Sequence, residues 1–316
     1  MIIKSLLKKS KLLNDLYVKY KWRERRINKG QENSDKIFYI IRRPTGTIGL
    51  FSYVMTNVGL IKYALDKGYI PIVDMQNYEN TYLEKNEVGK KNSWEYYFMQ
   101  PCGYTLEDTA NSRNIILSGI ETVWQSGYPG YDMVVDVEAR KKWHNLFSQY
   151  VIVKPEIMLE AEQIFNKESK GNKVLGILCR GTDYVNLKPK DHPVQPSVDQ
   201  IIEKARMVIN EKKCARVYLA TEDEKVYQQF RSEFGEKLWV TDSKRYSDTE
   251  KVILSETKEF KKTNKYENGK NYLLNILLLT KCDCLVAGCV GGTYGTLLMK
   301  EGNYEYEYIF KLGFYE

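Results

Sequence analysis

Histidine is the scarcest chemically versatile residue in this sequence. The 316 residues include only two, His144 and His192. Zinc sites and Ser-His-Asp arrangements need imidazoles at defined spacings, and two histidines leave little material for either. The six cysteines fit no zinc pattern and are typical of buried thiols in a reducing compartment. This scarcity disfavours zinc enzymes and triad hydrolases, and it predicts a cytoplasmic protein.

Long apolar runs are missing as well. No stretch of about 18 apolar residues occurs, so no segment is predicted to span a membrane. The first residues lack the continuous apolar core of a secretory signal. Even so, 43% of the residues are hydrophobic, which is enough for substantial cores. The length allows two domains of ordinary size.

The positive charge is concentrated at one end of the chain. Residues 1–29 hold ten Lys/Arg against Asp15 and Glu24, so the net charge of +7 leaves the remaining chain at −1. Such a body lacks the electrostatic footprint of duplex binding, and nucleic acid is not expected as a partner. Residues 1–30 also carry apolar residues near helical spacing, which predicts a basic amphipathic segment. It either contacts the inner face of a membrane peripherally through residues 1–29, packs on its own domain, or forms a solvated tail.

Strand-like and helical segments alternate along the rest of the chain. Residues 36–41 and 69–74 flank a helical pattern at 50–65, which predicts a βαβ crossover and a parallel sheet. In the second half, four strand-like runs alternate with helical patterns: 174–179, 216–220, 238–241 and 284–288. We therefore predict an α/β protein with two Rossmann-like domains. They span residues 36–153 and 154–300, before a C-terminal tail at 301–316. Residues 75–136 are expected to be loop-rich, and the strand-like run 304–310 to pack across the first domain.

The most informative segment is a strand that opens into a polar loop, Leu178-Cys179-Arg180-Gly181-Thr182-Asp183-Tyr184. In open α/β sheets ligands bind beyond the carboxyl ends of the strands. An arginine there offers a fork of donors suited to phosphate oxygens and can stabilise a departing nucleoside diphosphate. Asp183 could orient Arg180, and Thr182 could donate to an oxygen. The alternative is a surface arginine beside a helix cap.

Three other turns have a related composition. Thr221-Glu222-Asp223 follows a predicted strand and either lines a nucleotide site or caps a helix through Thr221. Gly291, Gly292 and Thr293 lie between a strand and a helix, where glycines let the backbone approach phosphate.

The third turn lies near the start of the first domain. The loop with Gly46 and Gly49 lacks the Gly-Lys-Ser/Thr of a P-loop, which disfavours a kinase or ATPase.

The strand-Arg-x-Thr-Asp segment resembles the signature of the fucosyltransferase superfamily, which includes core α1,6-, bacterial Nod-factor and protein O-fucosyltransferases. In the first two groups Arg-Arg-Thr-Asp is followed at fixed spacing by His-Pro. Here His192-Pro193 follows Arg180 by twelve residues, and Gly181 replaces the second arginine. The resemblance covers residues 174–300 and, more loosely, residues 37–110.

This resemblance implies a GT-B glycosyltransferase with two Rossmann-like domains facing a cleft. Residues 36–153 would form the acceptor-side domain, and residues 154–300 the domain that binds the nucleotide sugar. Its donor would be GDP-fucose, used without a metal or other cofactor. Its acceptor would be a bacterial surface or capsular glycan, or a lipid-linked glycan precursor. The implied catalytic residues are Arg180, Asp183 and Asp191. The implied donor-binding residues are Arg180, Thr182, Thr221, Asp223, Asn275, Gly291, Gly292, Thr293, Gly46 and Gly49. His192, Tyr184 and Trp94 are the candidates for substrate contact; the aromatic segment 92–101 around Trp94 is either an acceptor wall or a local hydrophobic cluster.

Several family residues are replaced in this chain. The family histidine that helps to read guanine is Leu178 here, and the family acid that binds guanine aligns roughly with Asn275. The carboxylate proposed as base falls at Lys188, so the general base is unassigned. No Asp-x-Asp metal motif follows a predicted strand, which agrees with a metal-independent enzyme. These departures leave two alternatives open: a GT-B transferase that uses another nucleotide sugar, and a non-catalytic glycan- or membrane-associated scaffold.

Overall fold

The computed structural model describes residues 11–43, 48–180, 185, 187–246 and 262–316. The chain divides into two compact units. Unit 1 comprises Met1–Gly46, Tyr53–Pro129 and Gln149–Ile152, and unit 2 comprises Thr47–Ser52, Gly130–Ser148 and Val153–Glu316. Residues 130–148, which fall in the predicted first domain, belong to unit 2.

Unit 1 is built on a four-stranded sheet in the described part of the chain. Its elements are α1 (Lys11–Lys21), β1 (Arg25–Ile27), β2 (Phe38–Arg42), α2 (Leu50–Asp66, whose first three residues fall in unit 2), β3 (Ile70–Asp74), β4 (Ile115–Leu117) and α3 (Thr122–Ser126). The strand order is β1-β4-β2-β3, with β2 parallel to both β3 and β4, and β1 antiparallel to β4. Every residue of the central strand β2 is buried, as expected for a strand covered on both faces.

One prediction for unit 1 needs correction, whereas the loop-rich character predicted for residues 75–136 is confirmed apart from short elements. The basic helix ends at Lys21, and Arg25–Ile27 form a strand paired with β4 rather than a continued helix. The loop-rich segment also contains β4, together with short 3-10 helices at Lys85–Glu87, Ser93–Tyr96 and Glu107–Thr109. A three-residue strand is too short to show an alternating pattern, which is why β4 escapes prediction.

Unit 2 contains a five-stranded, all-parallel sheet within the described residues. Its elements are α4 (Asp132–Val135), α5 (Val137–Tyr150), α6 (Pro155–Ser169), β5 (Val174–Leu178), α7 (Val198–Lys212), β6 (Arg216–Ala220), α8 (Glu224–Phe234), β7 (Leu238–Trp239), α9 (Lys265–Lys281), β8 (Cys284–Gly288), α10 (Gly291–Met299) and β9 (Tyr306–Phe310). A 3-10 helix at Gly235–Lys237 precedes β7. The order β7-β6-β5-β8-β9 is that of a doubly wound sheet, and it reverses between β5 and β8.

The C-terminal strand is the main correction in unit 2. The run at 304–310 was expected to cross the first domain, but β9 pairs in parallel with β8, from Cys284↔Tyr306 to Gly288↔Phe310. The segment predicted as a tail is therefore part of the sheet. The chain is a mixed α/β protein with parallel sheets, and among its described helices none is long and apolar enough to cross a membrane.

Candidate functional site at the strand ends of unit 2

A small cavity lies at the carboxyl ends of β5 and β6, where the sheet order reverses beside β8. Its lining residues are Leu178, Cys179, Arg180, Ala220, Thr221, Glu222, Tyr272, Asn275, Ile276 and Val290. The cavity volume is about 30 Å³. Such a volume holds only one or two water molecules and is too small for a nucleotide by itself. Its position is nevertheless where open α/β sheets bind ligands.

Arg180 reaches this cavity because β5 ends two residues earlier. The backbone N–H of Cys179 donates to the carbonyl of Ala220 at 3.2 Å, which ties the start of the loop to β6. The Cys179 side chain is buried, and burial raises the pKa of its thiol to about 12. Burial likewise raises the pKa of Cys289, beyond β8, to about 11. Both thiols are neutral at pH 7, so the cationic group that the strand ends present is Arg180 rather than a reactive thiolate.

Helix α10 begins directly beyond β8. Val290 occupies its N-cap position, and no described side chain caps the first turn. Uncapped N–H groups and the helix dipole attract anions. A Cβ on Gly292 would lie 3.1 Å from Leu178 Cδ2 and 3.2 Å from the Tyr272 hydroxyl, so this position favours glycine. Thr293 is fully buried and its hydroxyl donates to the Gly288 carbonyl, which makes it a packing residue rather than an exposed donor.

Two residues of the turn after β6, Thr221 and Asp223, have different structural roles. Thr221 lines the cavity, and its hydroxyl accepts from the Asp223 N–H at 3.2 Å. Asp223 caps α8, since its Oδ1 accepts from the N–H groups of Lys225 at 2.8 Å and Val226 at 3.0 Å. Asp223 rather than Thr221 therefore caps the helix, and one oxygen of its carboxylate is used for that cap.

Asn275 lines the cavity from α9 and is 8% exposed. Its Oδ1 accepts from the Tyr218 hydroxyl at 2.9 Å and from the Thr241 hydroxyl at 2.8 Å. Burial raises the pKa of Tyr218 well above its ordinary value, which keeps this hydroxyl a donor. Both carbonyl lone pairs of Asn275 are therefore used, and the amide has only its Nδ2 donors to offer a ligand. Sequence reasoning missed Tyr218 and Thr241, because their link to Asn275 joins three separate segments.

Asp191 and His192 lie on an exposed loop held by the C-terminal residues. The Asp191 N–H donates to the Tyr315 carbonyl at 3.0 Å, and the Tyr315 N–H to the His192 carbonyl at 2.9 Å. Neither residue is among the described residues that line the cavity. The loop joins the sheet through Gln195, which is buried and whose Nε2 donates to the Cys289 carbonyl at 2.9 Å. Gln195 was not predicted as a site residue.

Some predicted residues lie elsewhere. Thr182, Asp183, Tyr184 and Gly46 fall outside the described residues. Gly49 is exposed, and a Cβ there would meet no atom within 4 Å. Among the described side chains, no group of three His, Cys, Asp or Glu is arranged to hold a metal ion.

Trp94 is in the core of unit 1. It is 1% exposed, its indole N–H donates to the Met99 carbonyl at 3.1 Å, and its ring centroid lies 4.6 Å from that of Phe98. Neither face is accessible to a sugar in this structure. Trp94 therefore belongs to a local hydrophobic cluster, which is one of the two alternatives predicted for segment 92–101.

The chain is similar to several solved fucosyltransferases. No protein-family model and no curated protein matches the sequence. The fucosyltransferase NodZ from Bradyrhizobium is 14% identical with a TM-score of 0.48, over 83% of this chain and 92% of that one. A NodZ α-1,6-fucosyltransferase soaked with GDP-fucose is 15% identical with the same TM-score, over 83% and 93%. POFUT1 in complex with GDP-fucose is 11% identical with a TM-score of 0.49, over 89% and 100%. These TM-scores lie below 0.5, so the similarity by itself does not establish a function, and the function must be argued from the residues of this chain.

Proposed function

We propose that the chain is an inverting, metal-independent fucosyltransferase-like glycosyltransferase of the GT-B type. It transfers fucose from GDP-fucose to a bacterial surface or capsular glycan, or to a lipid-linked precursor of one. The observation that carries this function is the position of Arg180. The first arginine of the strand-Arg-x-Thr-Asp motif lines the cavity at the strand ends of a doubly wound sheet, beside the uncapped start of α10.

Leaving-group stabilisation is the chemistry that these groups support. When the bond between the sugar and the diphosphate breaks, negative charge grows on the phosphate oxygens. The Arg180 guanidinium and the first-turn N–H groups of Gly291 and Gly292 lower the energy of that charge. In our proposal they supply the positive potential that a divalent metal supplies in other transferases. Asp183 and Asp191 are carried forward as candidates for the base, and Asp183 is nearer to Arg180 in sequence.

Replacing Arg180 tests this function. We expect Arg180→Ala to lower transfer from GDP-fucose by about 100-fold or more, the usual cost of removing a donor to developing charge. Arg206→Ala is the matched control, because Arg206 is an exposed arginine of unit 2 that pairs with Glu233 outside the cavity. It should retain full activity. Full activity of a folded Arg180→Ala protein would exclude the proposed role.

A different donor nucleotide is favoured by one observation. Guanine presents N–H donors at its Watson–Crick edge and needs acceptors, whereas the Asn275 carbonyl already accepts two hydroxyls. Leu178, where the family has histidine, adds an apolar wall. Competition by GDP, UDP and ADP in the same transfer assay separates the two possibilities. Inhibition strongest by GDP supports GDP-fucose, and inhibition strongest by another diphosphate assigns the donor to that nucleotide.

We also propose peripheral contact with the inner face of a membrane through α1. Three apolar side chains spaced four residues apart on this helix are exposed: Leu12 (70%), Leu16 (55%) and Tyr20 (66%). Lysines accompany them, and the segment is strongly basic. An exposed apolar stripe with adjacent basic residues fits an anionic lipid surface. A lipid-linked acceptor would be concentrated at such a surface.

A further inference from the structure

Unit 1 contains a second cavity, of about 480 Å³, at the carboxyl ends of its own parallel strands. Residues at the ends of β2, β3 and β4 contribute to its wall, namely Arg42, Asp74 and Leu117. Strand β1 and the end of α1 contribute Arg25, Ile27 and Lys21. The volume lies in the range of small-molecule sites, on the order of 300–1,000 Å³. None of its lining residues is among the site residues predicted from the sequence.

Arg42 is a buried cation with unused donors. It is 7% exposed, and its Nη2 donates to the Ser118 carbonyl at 2.6 Å and the Arg23 carbonyl at 3.4 Å. Its Nε is buried and has no acceptor among the described residues, and Nη1 makes no hydrogen bond with them. Burial and the nearby Arg25 lower its pKa to about 10, so it is still charged at pH 7.

No described carboxylate forms an ion pair with Arg42, although the negative charge of Asp74 attracts it over a longer distance. Asp74 is paired with Arg42 across strands β2 and β3. Its Oδ1 accepts hydrogen bonds from the N–H groups of Gln76 at 2.9 Å and Asn77 at 3.0 Å. Its Oδ2 accepts from Asn77 Nδ2 at 3.0 Å. Within the described residues Arg42 forms no ion pair. A buried charge without an ion-pair partner is costly, so an anionic ligand would reduce a penalty that Asp74 offsets only in part.

The rest of the wall favours an anion attached to a ring. Four cationic side chains line the cavity against two carboxylates: Lys21, Arg25, Lys29 and Arg42 against Asp74 and Glu107. Trp22 is half-buried in the same wall, with Lys21 Nζ 5.0 Å and Arg42 Cζ 5.1 Å from its ring centroid. An aromatic face next to cations suits a sugar ring that carries a negative group.

We propose that this cavity, formed at the strand ends of unit 1, binds an acidic sugar. The guanidinium forks of Arg42 and Arg25 contact its carboxylate or phosphate, and Trp22 packs against its ring. As part of the acceptor site this inference depends on the proposed transferase function, and it assigns the acceptor to acidic glycans. Binding of the sugar itself requires no donor and is measured separately.

Adjacent arginines of β1 provide a matched test. Successive side chains of a strand point to opposite faces. Arg25 lines this cavity, whereas Arg26 lines a different depression with Arg113. Ligand-observed NMR titrations of the full chain with glucuronate, glucose 1-phosphate and glucose, without nucleotide sugar, give the affinities. We expect at least one acidic sugar to bind more tightly than glucose. We also expect Arg25→Ala to raise its Kd about five-fold and Arg26→Ala to leave it unchanged.

The result that contradicts the site is equal affinity for glucose and both acidic sugars, equal effects of Arg25→Ala and Arg26→Ala, or no acidic binding at all. Tighter binding of glucuronate identifies a carboxylate ligand, and tighter binding of glucose 1-phosphate identifies a phosphate ligand. Because Arg180 is in unit 2, failure of the Arg180→Ala transfer test leaves these titrations unaffected. The two proposals can therefore fail independently.

Discussion

At the scale of single residues, our two proposals depend on two arginines at the ends of parallel strands. Arg180 follows β5 in a small cavity whose thiol, Cys179, is neutral and whose amide, Asn275, already accepts two hydrogen bonds. Arg42 ends β2 in a larger cavity and keeps unused donors. The first arginine could be predicted because its motif is local in sequence. The second has no motif, and its importance depends on burial, which the sequence does not give.

Glycine 288 is expected to be required for packing at the site. A Cβ there would lie 2.6 Å from Gln195 Oε1 and 3.1 Å from Pro196 Cδ. Moving Gln195 would break its hydrogen bonds to Cys289 and Pro193. Gly288→Ala should therefore lower the free energy of unfolding by about 1–3 kcal/mol, measured by urea denaturation. Gly49→Ala is the control and should cost less than about 0.5 kcal/mol. Equal stability of the two variants would contradict this packing.

The buried Cys179 thiol predicts a loss of stability at alkaline pH. In the unfolded chain the thiol ionises near its ordinary pKa of about 8.5, and burial raises the folded pKa to about 12. Its contribution is fully present below pH ~8.5 and is lost as the pH rises toward 12, by up to about 1.4 kcal/mol per unit. The difference in unfolding free energy between the native protein and Cys179→Ala should be constant from pH 6 to 8 and decrease by pH 10. If this difference in unfolding free energy stays constant up to pH 10, the explanation is wrong.

At the scale of elements, local signals were sufficient for some boundaries and not for others. Strand β6 (Arg216–Ala220) has the bounds that its sequence pattern predicts, and α7 begins at a capping box formed by Ser197 and Gln200. Strands β1 and β4 have three residues each and leave no periodic pattern. The partner of β9 could not be predicted either, because strand pairing depends on distant residues rather than on the strand's own sequence.

Helix α1 is expected to bind lipid through its apolar stripe. Leu12→Glu should reduce co-sedimentation with phosphatidylserine-containing liposomes by at least about five-fold. The change removes an apolar side chain that would insert into the lipid, and the added carboxylate is repelled by the anionic headgroups. Leu159→Glu is the control, since Leu159 on α6 is also an exposed leucine, at 59%. It should bind liposomes like the native protein. Equal binding by Leu12→Glu and the native protein would exclude α1 as the lipid contact.

At the scale of the whole molecule, each unit has a cavity with an arginine in its wall at the carboxyl ends of parallel strands. The alternation of strands and helices predicts this architecture, and the motif around Arg180 predicts where the donor binds. The sequence could not show that Asp223 is used as a helix cap, that Trp94 is buried or that Asn275 is held by Tyr218 and Thr241. Each of these facts depends on side chains that meet only after folding.

Donor turnover tests the central claim most directly. The purified chain is incubated with a panel of nucleotide sugars, including GDP-fucose, UDP- and ADP-sugars, with and without EDTA, and release of the nucleoside diphosphate is measured. We predict selective use of GDP-fucose, equal rates in EDTA, and loss of turnover in Arg180→Ala but not in Arg206→Ala. Selective use of another nucleotide sugar would support a glycosyltransferase but assign it a donor other than GDP-fucose. No turnover or binding of any donor would contradict the account and favour a non-catalytic scaffold.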